Sequence, residues 1–151
     1  MKKQYLPSMV AALVLVGLLA GCDSNTTTTD AAIRRDGTDL QVAICRDMIV
    51  NQIRASYKGP ERGEEWTSFW KVKGSYGFKS GDRISSDAAL AGMEGGLWGS
   101  PPQKSGGRIS ISFWGDSQEN TIDGIFRVPA DGLSEDGWLR TNGSVTDAPC
   151  D

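Results

Sequence analysis

Between residues 38 and 59 the apolar side chains recur every three or four positions: Val42, Cys45, Ile49, Ile53 and Tyr57. That spacing lines one face of an α-helix. Thr38 and Gln41 stand at capping-box spacing at its start, and Gly59-Pro60 marks a stop. Ile44 and Met48 fall on the opposite side, with Asp47, Asn51 and Arg54 on a polar strip. The pattern therefore predicts a mostly buried helix with Cys45 in its inward stripe.

Beyond the charged stretch Glu61 to Glu65 the period changes to two. Trp66 to Lys73 reads as a strand with Trp66, Ser68, Trp70 and Val72 on one face, Gly74-Ser75 as a hairpin turn, and Tyr76 to Lys79 as the returning strand. Phe69 and Phe78 fall on the other face. Ser86 stands where it would cap a short helix over Asp87 to Met93. Gly95 to Gly107, with Pro101-Pro102 and Trp98, reads as a long loop of the kind that carries function.

The clearest alternation follows. Ile109, Ile111 and Phe113 alternate with Ser110, Ser112 and Trp114, and Ile122, Phe126 and Val128 stand among Thr121, Asp123, Ile125 and Arg127. Placing Trp114 opposite Thr121 sets Phe113 on Ile122 and Ile109 on Phe126, so the apolar pairs share a face. The cost is Arg108 opposite Arg127, a like-charge pair. Asn142-Gly143 predicts a last hairpin between Trp138–Thr141 and Ser144–Thr146. Together these elements predict an α+β fold, one domain over residues 38–151, with the amino-terminal helix packed on an antiparallel sheet of about four to six strands.

The first 22 residues have a different pattern. Lys2 and Lys3 precede an apolar run from Met9 to Leu19, which ends in Leu19-Ala20-Gly21-Cys22. The run is shorter than the roughly 20 residues of a membrane-spanning helix and reads as a removed secretory signal. The four closing residues resemble the lipobox of bacterial lipoprotein precursors. That resemblance covers residues 1–22 only. It implies cleavage before Cys22, a diacylglyceryl group on the Cys22 thiol and usually a third acyl chain on the new amine. Two chains suffice for stable anchoring, at about 0.8 kcal/mol per buried methylene. In enteric lipoproteins an aspartate at the next position, here Asp23, tends to mean retention in the inner membrane. The expected location is thus a membrane-anchored, periplasm-facing lipoprotein, inner membrane favoured and outer membrane the alternative. Residues 22–37, with Thr26 to Thr29, read as a flexible tether, spanning about 20 Å root-mean-square for fifteen coil residues.

The chain carries 16 basic and 19 acidic residues. Removing residues 1–21, with Lys2 and Lys3, leaves 130 residues with 14 basic and 19 acidic groups, a net −5. Nucleic-acid binding calls for a basic surface, and anionic headgroups are a poor match to an acidic one; the acyl chains are expected to supply the membrane contact. With 19 glycines, many turns are expected. There is no histidine, which excludes Ser-His-Asp and Cys-His catalysis, His-ligated zinc and the usual general base near neutral pH. With Cys22 lipidated as the resemblance implies, Cys45 and Cys150 remain. An oxidising periplasm favours a disulfide between them, and their separation argues against a CxxC redox pair.

Trp114 is the leading candidate for recognition. Its alternation places it with Arg108, Ser112, Asp123 and Arg127, where it would anchor a partner or stack on a sugar; the competing reading covers that face and makes Trp114 core. Trp98, in the glycine-rich loop, is the second candidate, while Trp66, Trp70 and Trp138 read as core. Asp116, Glu119 and Asp123 surround one turn without the EF-hand spacing. No G-x-S-x-G, P-loop or S-x-x-K motif is present, and no cofactor, metal or catalytic residue is expected. The function expected is that of a non-enzymatic, lipid-anchored module that binds another envelope protein, in a secretion or conjugation assembly or as an inhibitor or immunity protein. The alternative is a peptidoglycan or glycan binder using Trp98, Trp114 or Trp138. A carboxylate-dependent glycan hydrolase ranks last, since no acid pair is singled out.

Overall fold

A computed structural model describes residues 30–97 and 105–150. The signal segment, Cys22, Asp23 and Trp98 lie outside those residues. The described chain forms ten strands and one 3-10 turn at Gln118–Asn120. One five-stranded antiparallel sheet contains β1 (Ala31–Asp36), β2 (Asp39–Ile44), β5 (Arg83–Ser85), β9 (Trp138–Leu139) and β10 (Val145–Thr146), in the order β10-β9-β1-β2-β5. The other contains β3 (Met48–Lys58), β4 (Thr67–Phe78), β6 (Met93–Leu97), β7 (Arg108–Trp114) and β8 (Ile122–Arg127), in the order β6-β4-β3-β7-β8. The inward faces of both sheets share one apolar core, with Ile33, Val42 and Ile44 from the first and Ile53, Trp70, Ile111 and Phe113 from the second. This corrects the α+β expectation: the fold is all-β, and no described helix is long and apolar enough to cross a membrane.

The predicted helix over 38–59 is two strands and the corner between them. Leu40, Val42 and Ile44 alternate inward on β2, and Met48 and Val50 begin the same alternation on β3. A register shift between Val50 and Gln52 then sets two residues of β4, Gly74 and Ser75, against Asn51 alone. The step from Val50 to Ile53 becomes three, after which Ile53, Ala55 and Tyr57 resume period two. A β-bulge thus reproduces the spacing of a helix face, while the Val and Ile content favours strand. Ile49, counted in the helical stripe, is 56% exposed. The Ile49→Ala variant is therefore expected to change unfolding free energy by no more than about 0.5 kcal/mol. Ile53→Ala, at a fully buried position, should cost about 2–5 kcal/mol; urea titration distinguishes them.

Three further expectations are corrected. Residues 31–36, assigned to the tether, are strand β1 and lie at the centre of the first sheet, with Ala31, Ala32 and Ile33 buried. Gly37, at φ 61°, opens the two-residue hairpin joining β1 to β2, as a II′-type turn requires of its first position. Gly74-Ser75 is not a turn but an irregularity within the continuous strand β4. Gly74 has φ 138° and lies so close to Gly92 that no Cβ fits. Residues 86–92 contain no helix and lead into β6.

Two connections cross between the sheets side by side. Ile44 N–H donates to Asp82 O (2.9 Å) and Gly81 N–H to Ile44 O (2.7 Å). Beside them Cys45 and Cys150 form the expected disulfide, with Cα atoms 5.2 Å apart. The carboxyl-terminal segment reaches this corner past Arg140, whose guanidinium donates to Ala148 O (3.5 Å). Trp138 lies on the outward side of the first sheet yet is buried, packed on Ala32 and Ala43 with the guanidinium carbons of Arg34 and Arg83 4.6 and 5.3 Å from its ring. Cation–π stacking accompanies its burial.

Candidate functional site

The outward face of the second sheet is built in ranks, because residues two apart on a strand share a face and stand about 6.8 Å apart. In one rank Lys73 faces Gln52, and Gln52 faces Trp114. In the next Lys71 faces Arg54, Arg54 faces Ser112, and Ser112 faces Asp123. Ser68, Ser56, Ser110 and Ile125 follow, and then Lys58, Arg108 and Arg127. The register expected for β7 and β8 holds, including Phe113 on Ile122, Ile109 on Phe126 and Arg108 on Arg127.

Short side chains along the serine rank leave a trough of about 280 Å³, lined by Arg54, Ser56, Trp66, Ser110, Ser112, Trp114 and Ile125. Trp114 is half-buried, and Trp66, read from the sequence as core, is 39% exposed. Ser56 Oγ lies 3.1 Å from Ser68 Oγ, and Arg54 Nε donates to Ser68 Oγ at 2.6 Å. The trough lining contains neither carboxylate nor carboxamide.

The candidate residues Trp114, Arg108, Asp123 and Arg127 thus share one face. Trp98 is outside the described residues. Trp138, a glycan candidate, is 1% exposed and unavailable for stacking on a ligand. The residues missed are Trp66, Arg54, Lys58, Lys71 and Lys73. Their signal was the alternation Arg54-Ser56-Lys58 and Lys71-Lys73, legible only once 48–58 and 67–78 are read as neighbouring strands. Asp116 accepts a hydrogen bond from Asn51, and among the described residues Asp116, Glu119 and Asp123 do not converge into a metal-binding group.

A second, shallower cavity of about 430 Å³ lies at the end of β3, beside Asp47, Ile49, Phe78, Lys79 and Asn120. The Ser80 N–H (2.9 Å) and the Lys79 ammonium (2.9 Å) both donate to the Asp47 carboxylate and hold its pKa below the ordinary value. A lowered carboxylate pKa contributes stability above the ordinary carboxylate range and loses it as pH falls through the folded value. Carboxyl-carbon NMR is expected to show Asp47 titrating below 3.8, with Lys79→Ala moving it upward. Because both side chains of the pair are exposed, added salt should weaken the effect.

Compared with protein-family models, with curated proteins and with solved structures, the chain matches none.

Proposed function

We propose that this protein is a non-enzymatic recognition module of the bacterial envelope, held by acyl chains on Cys22 and binding another envelope protein through the outward face of its second sheet. The observation that carries the reading is the trough itself. Two tryptophans that a closed core would have absorbed stand in its lining, beside Ile125 and serine hydroxyls. Partly exposed aromatic side chains around a concave, mostly apolar patch are the usual anchors of protein interfaces. The lipobox resemblance supports the anchor, and Asp23 supports the inner membrane. The trough supports a glycan ligand less well: Trp138 is buried, and the lining holds neither carboxylate nor carboxamide to take up sugar hydroxyls.

A photo-crosslinking residue placed at Trp66 in the native host tests the reading. It should yield a discrete adduct with one envelope protein, absent when the crosslinker sits at exposed Val145 and lost when Trp114→Ala is added. Equal adducts from both positions, or none, would overturn it. Labelling with palmitate checks the anchor: Cys22→Ala is expected to abolish incorporation.

A further inference from the structure

The net charge of the exported chain hides a strongly sided distribution. The outward strand positions of the second sheet carry six cations, Arg54, Lys58, Lys71, Lys73, Arg108 and Arg127, and two acids, Glu94 and Asp123. This face is +4 in a chain whose total after signal removal is −5. The cations are also placed against one another. Arg54 stands directly opposite Lys71, Lys58 opposite Arg108, and Arg108 opposite Arg127. Like charges directly opposite on neighbouring strands are unfavourable. Among the described residues the ion pairs lie elsewhere, at Arg35–Glu135, Arg46–Asp30 and Lys79–Asp47, so none of the six cations has a carboxylate within ion-pair distance. The two like-charged ranks run on either side of the serine rank, about 13 Å apart along β3.

We propose that the trough receives an acidic polypeptide segment, with Asp or Glu side chains on both sides of an apolar or aromatic residue. This rests on the reading of the same face as a protein-binding surface and names the chemistry of its partner. An extended segment laid across the serine rank, parallel to β3, presents residues i, i+2 and i+4 on one face, so acids at the two ends of that set lie over the two cationic ranks and the residue between them lies over the trough. Its carboxylates relieve the repulsion within each rank, and its apolar residue meets Trp66, Trp114 and Ile125. The lining favours a polypeptide over an acidic glycan, because it lacks the carboxylates and carboxamides that take up sugar hydroxyls. Concavity argues against a flat lipid surface.

The test uses the exported chain with four probes: a glutamate–tyrosine copolymer, a lysine–tyrosine copolymer, polygalacturonate, and phosphatidylglycerol vesicles. The glutamate–tyrosine copolymer should bind saturably, quench tryptophan fluorescence, and weaken about tenfold or more between roughly 50 and 300 mM salt. Arg108→Glu supplies the decisive variant. It replaces like-charge contacts with both Lys58 and Arg127 by opposite-charge ones, so the fold should become no less stable while copolymer binding falls about tenfold. Lys71→Glu, which turns the like-charge contact with Arg54 into an opposite-charge one, is expected to weaken binding without loss of fold and serves should Arg108→Glu misfold. No saturable binding, binding indifferent to Arg108→Glu or Lys71→Glu and to salt, or stronger binding to polygalacturonate or to vesicles would each overturn the proposal. Adducts from position 66 that persist unchanged in Arg108→Glu would overturn it while leaving the protein-binding reading intact.

Discussion

Replacing both Cys45 and Cys150 with serine is expected to lower unfolding free energy by about 2–5 kcal/mol. The bridge spans a sequence separation of 105, and closing a loop of about 100 residues corresponds to about 4.7 kcal/mol in the chain-entropy model. The effect belongs to the unfolded chain, which loses conformations when its ends are joined, more than to contacts in the folded one. It also joins distant parts of the fold. Cys45 stands at the corner between the sheets, where Cys45 N–H donates to Asp30 O (2.7 Å), and Cys150 ends the described chain. Urea titration of the double variant beside the parent, both without reductant, measures the loss. A midpoint unchanged between the two would show that the bridge constrains nothing.

Phe113→Ala is expected to cost about 3–5 kcal/mol, as large-to-small changes at buried aromatics do. Phe113 is fully buried on β7. It stands opposite Ile53 on one side and Ile122 on the other, and meets Phe78 edge-on with ring centroids 5.8 Å apart. The position joins three strands of the second sheet, and the sheet's backbone ladder limits how far the surroundings can collapse into the void. Chemical denaturation again reads the result; a cost below about 1 kcal/mol would place Phe113 outside the core.

The part of the fold legible in the sequence was the part without irregularities. β7 and β8 alternate cleanly, so their register, the inward set Ile109-Ile111-Phe113 and the outward set with Trp114 all followed from period two. The turn at Asn142-Gly143 followed from its chemistry. Elsewhere each misreading has a local cause. The bulge after Val50 shifted the phase of β3 by one residue and produced a helical spacing. Thr38 and Gln41 resemble a capping box, but the Gln41 amide instead accepts from Arg34 Nε (2.7 Å) and donates to Asp36 (3.2 Å) across the hairpin. Gly74 has the dihedral of a turn glycine and serves the approach of β6 to β4. The candidate site suffered from the same errors. Trp114 and the arginine pair were placed because they sit on β7 and β8. Arg54, Lys71 and Lys73 were not, because a helix and a short hairpin separated them from the face they complete.

The position of the bridge has a mechanical consequence if the chain is anchored at Cys22 as proposed. Tension between that end and a load on the second sheet enters at Asp30 and can strip away β1 and then β2. It stops at Cys45, where the covalent link to Cys150 carries the force. The fifteen residues Asp30 to Ile44 can lengthen to about 50 Å. Beyond that point the remaining strands are closed into a covalent ring, so the surface carrying the trough is shielded from force applied at the amino-terminal side.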